Sequence, residues 1–265
     1  MKNTILSHTD PQYLWKDQLH YFDSIGSTND HLRFLARSGA PHGTAVIAGH
    51  QTGGHGRRGR SFHSPEGVGV YLSIMLRPQC APGELMHLTC ATAVAMCDAV
   101  ENACGFRPGI KWTNDLVSGK RKLGGILTEL GFRPDGTVDY AIIGIGINCC
   151  QREADFPEDI RHMAASLSMV TGKPVDRCRV AGAMLTALQE MDRILLTRKA
   201  AILTRYRSDC ITLGQEVVLV RGSEQRYGTA IDMDDEGALI VKFTSGETEA
   251  VNSGEVSVRG MYGYL

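Results

Sequence analysis

The pattern of apolar residues changes near Cys210, and this change limits the folds that the chain can adopt. Before Cys210, short β-rich runs alternate with apolar residues at helical spacing. After Ile211 the segments EVVLV, RYGTAIDM, ALIVKF and EVSVRG are all short and β-type, and turn-forming stretches separate them. We therefore predict a main domain of strands and helices over residues 1–210, with a small β-barrel or sandwich over residues 211–265 packed directly on it.

Both helices and strands are predicted in the main domain. Ser27 and Asp30 have the spacing of a capping box before an apolar stripe, which predicts a short helix. Apolar residues at helical spacing predict a long core helix over residues 82–103 and further helices over residues 176–208. The strands predicted from β-rich runs cover residues 44–49, 68–76, 110–112, 124–130 and 140–147.

Charge balance and cysteine spacing exclude several classes of protein. The chain has 28 Lys and Arg residues against 29 Asp and Glu residues, so it offers no general attraction to nucleic acid or anionic membranes. We therefore predict no DNA partner and no membrane partner, and any anion site must be local. The eight cysteines show no CxxC spacing and are predicted to be reduced. Because there is no signal peptide and no apolar run of about 20 residues, the sequence predicts a cytoplasmic protein.

The loop QTGGHGRRGR, residues 51–60, is rich in glycine and arginine. Its glycines let backbone N–H groups approach a ligand, and its arginines supply charged donors, so the loop is predicted to bind carboxylate or phosphate oxygens. Gly54, Gly56 and Gly59 have the GxGxxG spacing of a dinucleotide site, but a strand follows them where that site requires a helix. A solvated surface turn or a small nucleic-acid patch stays open as the alternative.

Two further stretches carry polar residues beside glycines. In IKWTNDLVSGKRKLGGILTE, residues 110–129, two cations, an amide and a carboxylate are predicted to face one cleft; the alternative is an ordinary charged hairpin. In IIGIGIN, residues 142–148, Gly144 and Gly146 interrupt a buried strand, which indicates that something packs on its backbone, or else marks a bulge. The absence of GxxxxGK[ST], HExxH and GxSxG motifs argues against a Walker loop, a zinc protease and a serine hydrolase.

Five motifs together point to one known family. They are, in order, SIGSTND, GGHGRRGR, KWTND, RKLGGIL and IGIGIN. In this order and spacing they closely resemble the catalytic domain of biotin-protein ligases. The resemblance runs from about Ser24 to Asn148, and the terminal β-module is similar to the SH3-like domain of that family. It implies an α+β fold, in which a mixed β-sheet packs against helices as in class II aminoacyl-tRNA synthetases. Members with repressor activity have a DNA-binding domain before the STN motif, whereas 26 residues precede Ser27 here, so we expect a monofunctional form.

The resemblance also implies roles for particular residues. Arg57 and Lys122 are the expected catalytic cations, and Asp115 is the expected ligand of Mg²⁺, directly or through water. The expected biotin-binding residues are Ser27, Thr28, Asn29, Gln51, His55, Gly56, Arg57, Lys122 and Gly125. The expected ATP-binding residues are Arg57, Arg58, Arg60, Lys111, Asn114, Asp115 and Asn148.

A reaction and a partner are implied as well. ATP and biotin would be substrates and Mg²⁺ a cofactor. Biotinyl-5′-AMP and pyrophosphate would form first, and biotin would then pass to a lysine of a biotin carboxyl carrier protein of acetyl-CoA carboxylase or another biotin-dependent carboxylase. The protein would be a monomer or a homodimer.

Three residues depart from the family pattern, and other functions stay open. The family often has Arg in place of His55, Trp in place of Phe62 and Pro in place of Thr113. Having His instead of Arg at position 55 removes a fixed charge, which predicts that the adenylate is bound more weakly or with an affinity that depends on pH. The alternatives are a lipoate-protein ligase or octanoyltransferase of related fold, a non-catalytic biotin-binding regulatory module, and an RNA-binding protein that uses the arginine-rich loop.

Overall fold

The computed structural model describes residues 1–252 and the strand Ser257–Gly260, and it contains two β-sheets. The strands of the larger sheet are β1 (Leu19–Phe22), β2 (Ala45–Ala48), β3 (Gly69–Leu76), β4 (Gly109–Lys111), β5 (Asp115–Ser118), β6 (Arg121–Phe132) and β7 (Val138–Asn148). Their order in the sheet is β1-β2-β3-β7-β6-β5-β4. Strand β1 runs parallel to β2 and the other neighbours are antiparallel, which confirms the predicted mixed sheet.

Helices cover both faces of this sheet. They are α1 (Lys2–Leu6), α2 (Thr28–Arg37), α3 (Leu88–Cys104), α4 (Glu158–Arg161), α5 (Leu167–Thr171), α6 (Arg177–Ile194) and α7 (Lys199–Asp209). Helix α2 buries Leu32 against Val46, Met75 and Ile142 on one face. Helices α3 and α6 pack on each other and on the opposite face, where the larger apolar core lies. Alternate side chains of a strand point to opposite faces, so strands buried on both sides are almost wholly apolar.

The predicted helices form with small changes at their ends. Helix α2 begins after Ser27, whose Oγ accepts a hydrogen bond from the backbone N–H of Asp30 at 3.4 Å, as the capping-box spacing predicts. The predicted helix over residues 82–103 is divided into a 3₁₀ turn, Pro82–Leu85, and α3. Gly105 ends α3 in the left-handed conformation, with φ of 67°, which glycine adopts without a steric penalty.

Two strands of the larger sheet were not predicted. Both β1 and β5 are four residues long, too short for a clear alternation of apolar and polar residues. Strand β5 is held by its pairing with β6, in which Asp115 lies opposite Gly125 and Leu116 opposite Gly124. This pairing brings the residues that precede β5 beside Gly125 and Ile126 of β6, where the N–H of Ile126 donates to the carbonyl of Asn114 at 2.9 Å.

The C-terminal β-module is a second, antiparallel sheet that packs on the main domain. Its strands are β8 (Glu216–Arg221), β9 (Glu224–Met233), β10 (Leu239–Phe243), β11 (Thr248–Val251) and β12 (Ser257–Gly260), in the order β11-β10-β9-β8-β12. Trp112 of the main domain donates its indole N–H to the carbonyl of Gly237 at 3.0 Å, and the N–H of Ile211 donates to the carbonyl of Ile110 at 2.9 Å. The small β-module predicted from the sequence is thus confirmed, while its boundary near Cys210 stays a prediction. Residues 253–256 and 261–265 of the predicted module lie outside the described residues.

Within residues 1–252 and 257–260, no helix combines the length and the apolar character that crossing a bilayer requires.

The contact between α6 and the core gives a stability prediction. Leu185 of α6 is fully buried, so Leu185→Ala should lower the free energy of unfolding by about 2–5 kcal/mol because a cavity replaces its side chain. The matched control is Leu14→Ala, whose side chain is 77% exposed and whose loss should change the same quantity by less than about 0.5 kcal/mol. Urea denaturation of both variants is the measurement, and equal midpoints would contradict the packing described.

Candidate active site

A cavity of about 200 Å³ opens at the N-terminal end of α2 and is bordered by the β2–β3 loop and strands β6 and β7. It contains almost every residue that the sequence predicted for a site. The predicted residues that line it are Ser27, Thr28, Asn29, Gln51, His55, Gly56, Arg57, Arg58, Arg60, Lys111, Asn114, Asp115, Lys122 and Gly125. Three stretches that are far apart in sequence therefore meet in one place.

One end of the cavity is a network of neutral hydrogen bonds. Thr28 donates its backbone N–H to Gln51 Oε1 at 2.8 Å and its hydroxyl to the same oxygen at 3.0 Å. Gln51 Nε2 donates to Ser64 Oγ at 3.1 Å, and Ser64 in turn donates to the carbonyl of Phe62. Because each side chain holds the next, the start of α2 and the β2–β3 loop are fixed to each other.

Asn29 is held by two residues that the sequence did not single out. Its Nδ2 donates to Glu129 Oε2 at 2.7 Å, and its Oδ1 accepts from Ser73 Oγ at 2.5 Å. Ser73 had a detectable signal, since it is polar in the otherwise apolar strand GVYLSIML. Glu129 lies 100 residues from Asn29 in sequence, and no local sequence pattern predicts their contact.

The two glycines in β7 leave room for side chains that enter the cavity. A Cβ at Gly144 would lie 2.1 Å from Asn29 Oδ1, and a Cβ at Gly146 would lie 2.3 Å from Cε1 of Phe62. Real atoms do not approach so closely, so each position requires glycine. This confirms the prediction that something packs on the backbone of this strand.

The basic loop forms a tight turn at the other end of the cavity. Residues Arg57–Gly59 make one 3₁₀ turn, in which Arg58 has φ of 59° and Gly59 has φ of 71°. Arg57 donates from Nη1 to Asn114 Oδ1 at 2.9 Å, which ties the loop to the β4–β5 connection. Burial, and then the charge of Arg58, lowers the pKa of the Arg57 guanidinium, although arginine stays charged at neutral pH.

Lys122 and Asp115 form an ion pair on the cavity wall. Lys122 Nζ lies 2.7 Å from Asp115 Oδ1, and a Cβ at Gly125 would be only 3.1 Å from that nitrogen. Five Lys and Arg residues line the cavity, and Asp115 is the one acidic residue among the lining residues that the structure describes. Although the chain as a whole is nearly neutral, this cavity carries a local excess of positive charge and suits an anionic ligand.

Asn148 is the one predicted site residue that the structure does not bring to the cavity. Its Nδ2 donates to the carbonyl of Ala165 at 3.0 Å, and its Oδ1 accepts from Gln151 Nε2 at 3.2 Å. The side chain is therefore engaged inside the protein. A nucleotide contact by Asn148 stays a prediction that its position does not support.

A magnesium ion would meet a single carboxylate here. In the part of the chain that the structure describes, no group of three or more His, Cys, Asp or Glu residues is arranged to hold a metal. Mg²⁺ usually keeps several waters and is held by one or two carboxylates together with substrate phosphates. Asp115 therefore fits a magnesium ion that enters with a nucleotide, and does not by itself make a resident metal centre.

Comparison with known proteins identifies the family. Residues 21–148 match the biotin/lipoate A/B protein ligase family, and residues 212–259 match the biotin protein ligase C-terminal domain. The bifunctional ligase/repressor BirA of Bacillus subtilis is 37% identical over 229 residues, which are 86% of this chain and 70% of BirA. The chain belongs to the biotin protein ligase family. It is an enzyme of the ligase class.

Two further relatives of this ligase match over most of their length. The biotin–[acetyl-CoA-carboxylase] ligase of Mycobacterium tuberculosis is 33% identical over 250 residues, covering 91% of this chain and 89% of that protein. The biotin protein ligase of Aquifex aeolicus, solved in complex with biotin and ATP, has a TM-score of 0.77 at 30% identity. That match covers 91% of this chain and 98% of the Aquifex chain. The fold and the family predicted from the sequence motifs are thus confirmed.

The three departures from the family pattern occupy defined positions in this ligase. His55 lines the cavity with its Nδ1 3.3 Å from the carbonyl of Gly53 and its Nε2 3.9 Å from Asp30 Oδ1. Phe62 covers Gly146 in β7. Thr113 is buried, and its carbonyl accepts a hydrogen bond from the hydroxyl of Tyr206 at 3.1 Å. Of the three, only His55 changes the charge of the cavity wall.

The close approach of Asn29 to Gly144 predicts the effect of one added methyl group. Gly144→Ala should weaken biotin binding by about 10-fold or more, because the new Cβ displaces Asn29 and breaks its bond with Ser73. Gly83→Ala is the matched control, since no atom lies within 4 Å of that Cβ, and it should bind as the wild type does. Isothermal titration with biotin measures both, and unchanged affinity in Gly144→Ala would contradict the site.

Proposed function

We propose that this ligase forms biotinyl-5′-AMP and pyrophosphate from biotin and ATP, and then transfers biotin to a lysine of a biotin carboxyl carrier protein. One observation carries the proposal: a single cavity has a neutral hydrogen-bonding end at Thr28, Asn29 and Gln51 and a cationic end at Arg57 and Lys122. Such a cavity suits an acid with a polar head and a carboxylate tail. The names of the Mycobacterium and Aquifex relatives support biotin as that acid and acetyl-CoA carboxylase as the destination.

In the first step, a carboxylate attacks the α-phosphate of ATP. One carboxylate oxygen forms a bond to phosphorus while the bond from phosphorus to the pyrophosphate oxygen breaks. Two anions must come into contact, so fixed cations and backbone donors have to offset their repulsion as charge develops in the transition state. The five cations on the wall of this cavity supply that field.

Lys122 is proposed as the cation at the junction of carboxylate and α-phosphate. Its Nζ is paired with Asp115 at 2.7 Å, which holds the charge beside Gly125. An arriving anion would exchange partners with Asp115, so Lys122 would not have to be recruited from solvent. Ion pairs of this kind position a flexible lysine, whose ammonium is a compact point charge.

Arg57 is proposed to contact the phosphoryl group. Its guanidinium already donates to Asn114, which fixes the direction in which the remaining N–H groups point. Arg58, Arg60, Lys111 and Asn114 are proposed to contact the rest of the nucleotide. Mg²⁺ carried by ATP, with Asp115 as its protein ligand directly or through water, would offset charge on the departing pyrophosphate.

In the second step, the carrier lysine attacks the acyl carbon of the adenylate. The neutral amine forms a bond to the acyl carbon and gives up one proton to water, the bond between that carbon and the phosphate oxygen breaks, and AMP leaves. A lysine in water has a pKa of about 10.4, so the carrier amine must lose its proton before it attacks. We further propose residues 1–210 as the catalytic domain and residues 211–265 as the appended module, because every lining residue lies between Ser27 and Gly146.

The deciding experiment is pyrophosphate release from ATP, with biotin, lipoate and octanoate as parallel acids and a carrier domain added in a second step. The proposal expects release with biotin alone and then labelling of the carrier. Release with lipoate or octanoate would favour the related lipoate ligase. No release and no biotin binding would favour an octanoyltransferase, because acyl transfer from an activated donor consumes no ATP. Biotin binding without any release would favour a regulatory binding module.

Lys122→Ala tests the first step. Because the substitution removes the cation between two anions, we expect single-turnover formation of the adenylate to fall by about 100-fold or more, with an unchanged unfolding midpoint. Lys120→Ala in the same hairpin is the matched control, since Lys120 is exposed and does not line the cavity. Near-normal turnover in Lys122→Ala would remove Lys122 from the mechanism.

Arg57→Gly tests the hold on the intermediate. Loss of a charge-assisted contact worth about 1.5–3 kcal/mol should speed dissociation of biotinyl-adenylate by roughly 10- to 100-fold. Arg152→Gly, at a side chain that is 85% exposed, should release it at the wild-type rate. Stopped-flow chase with excess biotin measures both rates, and equal retention by Arg57→Gly and wild type would show that the assignment of Arg57 is wrong.

A further inference from the structure

The side-chain amide of Asn29 lies between two partners outside the cavity. Asn29 lines the cavity and is 4% exposed, whereas neither Ser73 nor Glu129 is a lining residue. Glu129 Oε2 accepts from Nδ2 at 2.7 Å, and Ser73 donates to Oδ1 at 2.5 Å. Ser73 lies opposite Gly144 in the sheet, directly beneath the amide. A ligand in the cavity therefore meets an amide whose orientation has already been set.

Only one of the two partners can set that orientation. A serine hydroxyl rotates and either donates or accepts, so Ser73 would tolerate Asn29 in both orientations. A carboxylate only accepts, so Glu129 requires the NH₂ group of Asn29 on its side. Rotating the amide by 180° would place Oδ1 against a carboxylate oxygen, so the buried Asn29 Oδ1 and the half-buried Glu129 Oε2 would both lose their donor.

Arg33 fixes Glu129 in turn. Its Nη2 donates to Glu129 Oε1 at 2.7 Å, and its Nη1 donates to Asp30 Oδ1 at 2.6 Å. Arginine has no acceptor, so whichever atom of residue 129 faces Arg33 must be an oxygen. The chain of constraints thus runs from Arg33 through Glu129 to Asn29, and each link allows one arrangement of donors and acceptors.

We infer that Glu129 is a positioning residue, which fixes the donor and the acceptor that Asn29 presents to the head group of the ligand. The inference rests on the proposed function, in which the ligand is biotin. The polar head of biotin is a ureido ring, with N–H donors on both sides of a carbonyl acceptor. Such a ring distinguishes an amide N–H from an amide oxygen at a given point of the wall. If the amide of Asn29 is reversed, its NH₂ group therefore faces an N–H of the ring, or its oxygen faces the ring carbonyl.

Glu129→Gln provides a nearly isosteric test. Arg33 would select Oε1 of the new amide, which leaves the NH₂ group of residue 129 facing Asn29. Two NH₂ groups cannot share a hydrogen bond, so Asn29 must turn its Oδ1 toward residue 129 and its Nδ2 toward Ser73, which can accept. The donor and the acceptor that Asn29 presents to the cavity then exchange places, with almost no change in shape.

We expect Glu129→Gln to lose affinity for biotin and to keep its affinity for ATP. Titration calorimetry should show biotin binding to Glu129→Gln weakened by about 10-fold or more, and KM for biotin should rise while kcat and KM for ATP stay close to wild type. Glu190→Gln, in an exposed i, i+3 ion pair with Arg193, is the matched control and should bind biotin as the wild type does. Unfolding midpoints of all variants show whether the fold is kept.

A second substitution separates positioning from a merely structural contact. In Arg33→Met/Glu129→Gln no arginine selects the oxygen, so the new amide at position 129 can turn its oxygen toward Asn29 and restore the native orientation. The double variant should therefore bind biotin more tightly than Glu129→Gln and about as well as Arg33→Met. If Glu129→Gln is too unstable to assay, the biotin affinities of the double variant and Arg33→Met still test the inference, which expects them to be about equal.

Each outcome has one interpretation. Equal biotin affinity of Glu129→Gln and wild type, or a double variant that binds biotin no more tightly than Glu129→Gln, would overturn the inference and leave the proposed function intact. A wild-type protein that binds no biotin would overturn the proposed function, and with it the ligand that the inference assigns. Recovery in the double variant supports the inference, since removing a purely structural contact does not restore binding.

Discussion

The missing side chains at Gly144 and Gly146 are the constraint on which the cavity depends. These two positions of the central strand β7 let Asn29 and Phe62 approach the sheet to distances that a Cβ would forbid. Helix α2 and the β2–β3 loop can therefore both lie close to the sheet, and the space between them becomes the cavity. The rest of the strand is mostly apolar and buried, so it anchors the core while its backbone forms the wall of the site.

The positive charge that lines the cavity is a local feature of this protein. A chain with net charge −1 places five cations around one cavity and a single carboxylate among them. That carboxylate, Asp115, holds Lys122 where the proposed reaction needs a cation, and Asn114 holds Arg57. Because pairing lowers the freedom of long side chains before any ligand arrives, less entropy remains to be lost on binding.

Much of the fold and most of the site follow from local sequence patterns. Capping at Ser27, the glycine-rich loop and the two strand glycines are signals of short range, and the structure gathers the residues they indicate. What could not be predicted depends on strand register and on distant contacts. Strand β5 exists through its pairing with β6, and Glu129 reaches Asn29 across 100 positions of sequence. Asn148 lies on the same face of β7 as Gly144 and Gly146, but its side-chain amide donates to the carbonyl of Ala165 and does not line the cavity.

One contact between the main domain and the β-module uses a backbone atom of the module, which limits how the sequence can change at that point. Trp112 lines the cavity and donates to the carbonyl of Gly237 in the β-module, so the bond does not depend on any side chain of the module. Gly237 itself has φ of 89° and lies with its Cβ position 3.0 Å from the sulfur of Cys90. Both observations exclude a larger residue at position 237, so the glycine is expected to persist for as long as the indole lines the cavity.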